Sequence, residues 1–367
     1  KNISSDFKIK KILLNKKFLK LINLKKIFFI FFKKVFFRSF FWKEILFILF
    51  NRNFIKKLKM CVNEACLAFL LYEFILKEKN KDKEIIFYSF WSNFTLISFI
   101  ELKKEFKNSN FLSRGLGSDL NGYIKNDNYV PYKNIKFSGL DKLLLLGDYQ
   151  KNVLEKINLK NKIEIVPLGV FPQHENINEN KVFNSNEVIT FISCGNLIEI
   201  KNNFLMIDFL EKFTKQTKRK VKYTMIGKGI LKKQLINQLN KNNEITFEYH
   251  EYVENLIDFL KKNQPHFFLN FSSQEGMAFS IMESMSCGVP TITSNIPPNE
   301  YLVKENGFTF DLNDYEKSIF KTIDEINETL KDKERYNLKS KKSFDFINKN
   351  LINTKCYQKF KIILEKL

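Results

Sequence analysis

Apolar positions divide this chain into two textures. Over residues 8–79 long apolar stretches mix with lysines, and no Gly or Pro interrupts them, so the segment is predicted helical. From residue 84 short apolar runs alternate with amphipathic ones. EIIFYSFW (84–91), NFLSRG (110–115), DKLLLLGD (141–148) and KIEIVPLGV (162–170) read as strands, with helices predicted at 94–107 and 149–158. A polar, Asn-rich stretch at 171–187 reads as a linker. The alternation then resumes, with strands at 188–195, 221–227, 244–249, 266–272 and 289–294 and helices at 202–216, 230–241, 253–262 and 279–287. Strands of four to eight residues separated by helices are the pattern of βαβ units around a parallel sheet. Two such series predict two Rossmann-like domains, residues 1–170 and 188–350, facing a cleft. The last helix, 351–367, is expected to cross back onto the first domain.

Composition narrows the class. The 367 residues hold 44 % hydrophobic side chains with only 12 Gly and 7 Pro, which suits a globular protein and excludes fibrous or low-complexity chains. The net charge of +21 is concentrated at one end, where residues 1–80 contain 19 Lys/Arg against 5 Asp/Glu. Lysine, Asn, Ile and Phe are all heavily used, as in an AT-rich coding sequence, so solvated lysines are one reading of this excess. An anionic membrane surface and a nucleic acid are the functional readings. The five cysteines, Cys61, Cys66, Cys194, Cys287 and Cys356, show no Cys-x-x-Cys spacing, which fits a reducing cytosol better than a disulfide framework. Residues 27–50 are rich in Phe, but Lys33, Lys34, Arg38, Lys43 and Glu44 break them below the ~18 apolar residues that a spanning helix needs.

Several chemistries lack their motifs. There is no Asp-x-Asp clamp, no G-x-G-x-x-G, no P-loop and no G-x-S-x-G, and His174, His250 and His266 have no metal-ligand spacing. What stands out is SSQEGMAFSIMESMSCGVP (272–290). A strand ends near Ser272, a loop carries Glu275 and Gly276, and a helix begins near Phe279 or Ser280 with Glu283 in its first turn. The N–H groups of Phe279, Ser280 and Ile281 would face out of the helix start, where the macrodipole favours an anion such as phosphate. Gly276 allows a ligand close to the backbone. Two carboxylates beside a phosphate site are useful only toward hydroxyl-rich parts of a ligand, as in a sugar, a diphosphate and a ribose in a row.

The pattern Glu-Gly-x6-Glu-x4-Gly-x-Pro, read from Glu275, Gly276, Glu283, Gly288 and Pro290, resembles the E-x7-E signature of glycosyltransferase family 4 (group 1). Three further stretches are similar to the same family: ISCGNLIEIKN (192–202), IGKG (226–229), and YSFW with SRGLGSD (88–91 and 113–119). The resemblance implies the GT-B fold and a retaining, metal-independent transfer from a nucleotide sugar, UDP- or GDP-linked, with no other cofactor. It implies that Glu275 contacts hydroxyls of the transferred sugar, that Glu283 binds the ribose, and that Lys201 neutralises the diphosphate. Gly195, Asn196, Gly227, Gly229, Gly276, Met277, Ala278, Phe279, Ser280 and Ile281 complete the implied donor site. Asn196 stands where many members carry Arg. Arg114 and Asp119 match on the acceptor side, while Leu116 occupies the place of the family's His, and Pro297-Pro298 replaces its Gly-Gly. Base contacts are expected from the 250–256 loop.

Residues 1–83 contain no Gly and begin at Lys1 without Met, so a first βα segment of the acceptor domain is expected to be missing. The expected role is cell-surface polysaccharide synthesis with a glycan or lipid-linked acceptor, cytoplasmic and peripheral on the inner membrane face, the basic segment docking on anionic lipid. No nucleic-acid partner is expected, because the segment has no groove-reading motif. The alternative is a degenerate GT-B protein that binds nucleotide or membrane without turnover.

Overall fold

The structure, a computed structural model, describes residues 24–77, 84–122, 127–155, 157, 159, 162–179, 181 and 187–367. The first part of the predicted helical segment, 8–23, the end of the helix predicted over 149–158 and linker residues 180 and 182–186 fall outside the described residues. The chain divides into two compact units, Lys1–Ser113 with Lys125–Lys142, and Arg114–Ile124 with Leu143–Leu367.

In the first unit the N-terminal helical segment is broken rather than continuous. Helix α1 (Leu24–Ile30) runs into a π turn (Phe31–Val35), followed by α2 (Ser39–Ile48) and the 23-residue α3 (Phe54–Leu76). Helix α3 buries Cys61, Ala65, Ala68 and Phe69, spaced three and four apart, against Ile30, Val35, Phe41 and Ile48. Strands β1 (Ile86–Ser89) and β2 (Asn110–Arg114) pair in parallel from Ile86↔Asn110 to Ser89↔Ser113, linked by α4 (Thr95–Glu105).

In the second unit Leu143–Leu145 of β3 (Lys142–Leu145) pair in parallel with β4 (Ile163–Ile165). The connection is not the predicted α-helix but two 3-10 turns, Asp148–Gln150 and Asn152–Leu154. A six-stranded sheet follows, formed by β5 (Ile189–Cys194), β6 (Val221–Ile226), β7 (Ile245–His250), β8 (Phe267–Asn270), β9 (Thr291–Ser294) and β10 (Phe308–Phe310). Its order is β10-β9-β8-β5-β6-β7, with every neighbouring pair parallel. The intervening helices are α5 (Asn203–Thr217), α6 (Lys232–Asn240), α7 (Leu256–Asn263), α8 (Phe279–Ser286) and α9 (Pro297–Val303). Alternate residues of the central strands feed two cores: Phe191, Phe267 and Leu269 enter one, Ile192 and Phe268 the other.

Helices α10 (Tyr315–Lys331), α11 (Lys333–Asn350) and α12 (Asn353–Glu365) close the chain. Before α12 the backbone returns to the first strand series: the Val170 N–H donates to the Leu351 carbonyl at 2.9 Å and the Asn353 N–H to the Val170 carbonyl at 2.8 Å. The Phe360 ring of α12 then lies 5.8 Å from the Arg114 guanidinium. Among the described residues no helix is long and apolar enough to cross a membrane.

Candidate functional site

The strand order reverses between β5 and β8. Strands β5, β6 and β7 build the sheet in one direction, and β8, β9 and β10 build it in the other. At such a switch point the loops after the two neighbouring strands diverge and leave a crevice at their carboxyl ends. The two stretches singled out in the sequence are those loops.

After β5 the chain passes Gly195 and Asn196 into a 3-10 turn (Glu199–Lys201) and then Asn202, which is left-handed at φ 48°. Asn202 Nδ2 donates to the Phe271 carbonyl at 2.9 Å, and the Ser273 N–H donates to the Ile200 carbonyl at 2.8 Å. These bonds lash the β5 loop to the β8 loop. They bring Lys201 onto Glu275: Lys201 Nζ donates to Glu275 Oε1, which also accepts from Ser272 Oγ at 2.7 Å and Asn270 Nδ2 at 3.3 Å. The two side chains are only 20 % and 11 % exposed, so solvent screens this pair weakly.

Helix α8 starts at Phe279 with Ala278 extended before it and no side-chain cap. Its first-turn N–H groups therefore have no intrahelical acceptor. Met277, Ala278 and Ile281 are buried, so only their backbone can face a ligand, whereas Phe279 is exposed. Glu283 is half-buried, and burial pushes its carboxyl above the usual carboxylate range. Its charge is felt at Cys194, the last residue of β5, whose thiol is pushed up to about 11 first by burial and then by Glu283. Glu275 and Glu283 thus lie on the β8 side of the crevice, with Lys201 opposite.

The glycines have distinct reasons. Gly227 has φ +145°, and a Cβ there would lie 1.8 Å from the Gly195 carbonyl oxygen; one at Gly229 would lie 2.2 Å from that of Leu197. The 227–229 turn therefore packs directly on the 195–197 loop, with Tyr249 Oη donating to the Gly227 carbonyl at 2.9 Å. Gly195 differs, since nothing lies within 4 Å of a Cβ built on it. Beyond this turn His250, Val253, Asn255, Asp258 and Phe259 line an open groove. The His250 ring meets Phe259 edge-on at 5.0 Å.

Arg114 and Asp119 are both buried. Arg114 Nη1 donates to the Val166 carbonyl. Asp119 accepts from the N–H groups of Leu116 at 3.0 Å and Gly117 at 2.7 Å, so it shapes the 115–119 turn. That turn reaches the site through backbone: a Cβ on Gly276 would lie 1.7 Å from the Leu116 carbonyl oxygen, and one on Gly117 would lie 2.9 Å from Gly276 Cα. Leu116 itself packs into the apolar cluster containing Met277 and Ile281. Sequence reasoning missed Asn202, Asn270, Ser272 and Tyr149, whose hydroxyl donates to the Gly276 carbonyl at 2.6 Å. Asn270, a polar residue closing the buried apolar strand FFLN, is the one that carried a signal.

Residues 174–343 match the family model described as "Glycosyl transferases group 1". The chain is 31 % identical over 214 residues to the O-antigen biosynthesis glycosyltransferase WclY of Escherichia coli, covering 53 % of this chain and 57 % of that protein. It is 27 % identical over 182 residues to the capsular polysaccharide biosynthesis glycosyltransferase CapH of Staphylococcus aureus, covering 45 % of this chain and 49 % of that protein. The matches thus span about half the length of these relatives. Among solved structures, Anabaena Alr3699/HepE in complex with UDP superposes with a TM-score of 0.62 at 13 % identity, covering 82 % of each chain. The structural likeness, with its two parallel-sheet series, establishes that this chain has the GT-B fold of glycosyltransferases.

Proposed function

We propose that the protein is a retaining, metal-independent glycosyltransferase of family 4, moving a sugar from a UDP- or GDP-sugar to a glycan or lipid-linked acceptor in cell-surface polysaccharide synthesis on the cytoplasmic side. The observation that carries this reading is the convergence of Lys201, Glu275, the uncapped start of α8 and Glu283 on the β5/β8 switch point. The match of residues 174–343 and the polysaccharide-synthesis relatives support it.

In this reading residues 188–350 hold the donor. The diphosphate lies against Lys201 and the first N–H groups of α8, and Gly195 leaves room for it. Glu283 accepts from the ribose hydroxyls and Glu275 from hydroxyls of the sugar. As the bond between the anomeric carbon and the phosphate oxygen breaks, negative charge grows on the diphosphate, and fixed donors already aimed there stabilise it. The acceptor hydroxyl adds on the face from which the diphosphate leaves. Hydrogen bonds to Glu275 alone fall short of the ~8–23 kcal/mol of barrier lowering typical of enzymes, so leaving-group stabilisation and orientation dominate.

A panel of UDP-, GDP- and ADP-sugars tests this. One donor should raise the melting temperature of the wild type and leave Glu283→Ala unmoved, and a flat response to the whole panel refutes the reading. The degenerate alternative is favoured by Leu116, an apolar side chain packed where the family resemblance expects His. Detectable transfer or donor hydrolysis removes it.

A further inference from the structure

Tyr149, in the 3-10 turn after β3, reaches the Glu275 loop, and its hydroxyl donates to the Gly276 carbonyl at 2.6 Å. The ring is held on several sides. The Gly147 backbone lies flush against it and leaves no room there for a Cβ. Tyr301 of α9 stands 5.4 Å away between ring centroids, and the apolar cluster containing Met277 and Ile281 packs against it. Burial first, and then the neighbouring Tyr301, push the phenol above its ordinary pKa, so it keeps its proton to donate. A trans peptide is planar, with its C=O and N–H pointing opposite ways. Because Tyr149 holds the Gly276 carbonyl, the Met277 N–H of the same peptide is aimed away from the phenol. Among the described residues nothing accepts from that N–H, although Met277 is only 6 % exposed. An N–H in so buried a residue is rarely left without an acceptor, which marks it as a donor kept for a ligand. Glycine has the widest choice of backbone angles, so the direction of the Gly276–Met277 peptide is what most needs holding in this loop.

We propose that Tyr149 is a positioning residue: its hydroxyl fixes the Gly276–Met277 peptide so that the Met277 N–H donates to a diphosphate oxygen of the sugar donor. The inference rests on the donor reading of this site. Met277 stands two residues before the uncapped start of α8, so its N–H extends the anion-binding end of that helix. A donor fixed before the substrate arrives needs no reorganisation as charge grows on the leaving diphosphate. It therefore counts for more in the transition state than in the bound ground state. Tyr149 itself touches neither the sugar nor the phosphate and works through the peptide it holds.

Tyr149→Phe keeps the ring and removes the hydroxyl. With a donor that the wild type turns over, kcat should fall by roughly ten- to hundredfold while KM for that donor stays within about threefold. A second readout needs no turnover. Selective isotope labelling of methionine nitrogen gives one amide signal for each of the 6 Met residues, and Met277→Leu assigns the signal at 277. Saturating UDP or GDP should move the Met277 amide proton downfield in the wild type and clearly less in Tyr149→Phe. The donor reading fails in the wild type alone, as a flat response to every nucleotide sugar and to UDP and GDP; this inference fails in a wild type that binds them. Three outcomes there overturn it. One is a Met277 amide that nucleotide leaves unmoved in the wild type. Another is kcat unchanged by Tyr149→Phe, whether or not KM rises. The last is a loss of kcat with the wild-type amide shift retained, which makes Tyr149 a general prop of the fold.

Discussion

Substituting Glu275→Gln should separate binding of the leaving group from transfer of the sugar. Lys201 Nζ is held by Glu275 Oε1, and their side chains are 20 % and 11 % exposed. In the proposed donor pose, a diphosphate at Lys201 must share the ammonium with this carboxylate and also meets its repulsion. Two unit charges ~4 Å apart at an effective dielectric of ~20 interact by ~4 kcal/mol, and water and phosphate replace part of what is lost. Gln keeps an oxygen for Ser272 Oγ, now 2.7 Å away, and for Asn270 Nδ2, so the loop should hold its shape. About 1–2 kcal/mol of competition then disappears, and UDP or GDP should bind ~5–30-fold tighter. In the proposed donor pose the variant also loses a charge-assisted hydrogen bond to the sugar, worth ~1.5–3 kcal/mol, so kcat/KM should fall by ~10–150-fold. Calorimetry with UDP and GDP at low and high salt reads the first effect, and product formation reads the second. A Gln variant that binds both nucleotides no more tightly than wild type at low salt refutes the competition, and Lys201→Met must weaken binding for the same reasoning to stand.

Other outcomes follow from single contacts. Gly276→Ala, whose new methyl would lie 1.7 Å from the Leu116 carbonyl oxygen, should destabilise by about 1–3 kcal/mol or more in denaturant unfolding. Gly195→Ala has nothing within 4 Å of the new Cβ and should leave stability unchanged, yet it should weaken donor binding if the diphosphate fills that space. Asn255→Ala removes the cap of α7, which accepts from the Ile257 N–H at 2.9 Å, and should cost about 1 kcal/mol. His266 is buried and accepts from the Thr190 N–H at 2.9 Å through Nδ1, which keeps it neutral; burial pulls its pKa down to about 3 from an ordinary 6.5. Between those values the unfolded chain binds the extra proton, so stability should fall as pH drops below 6.5, by ~1.4 kcal/mol per pH unit from this group. Unfolding midpoints measured from pH 7.5 to 5 should show that slope in wild type and a shallower one in His266→Gln.

The parallel series after residue 188 was legible because fully buried strands read as short apolar runs, and the Glu275 and Glu283 loop was legible because a polar, glycine-bearing stretch interrupts that rhythm. Where local pattern and tertiary need diverge, the reading failed. The 149–158 stretch has helical spacing, yet the chain turns there through two 3-10 segments that place the Tyr149 hydroxyl on the Gly276 carbonyl. The unbroken run over 8–79 carried no Gly or Pro to mark the π turn at 31–35 or the left-handed Asn53 before α3; packing of Val35 and Ile48 into the core sets those breaks. Arg114 and Asp119 entered through the family resemblance, which puts them on the acceptor side. In three dimensions Arg114 Nη1 donates to the Val166 carbonyl, and the turn that Asp119 holds presses Leu116 and Gly117 against Gly276. That contact joins positions 159 residues apart, and no periodicity reports it. It also changes what position 116 can do: its side chain packs against the apolar cluster that holds Met277 and Ile281, while its backbone carbonyl sets where Gly276 sits. Leu116→His should therefore disturb the Glu275 loop before it restores any chemistry, and Leu116→Met, which keeps the volume, should preserve donor binding.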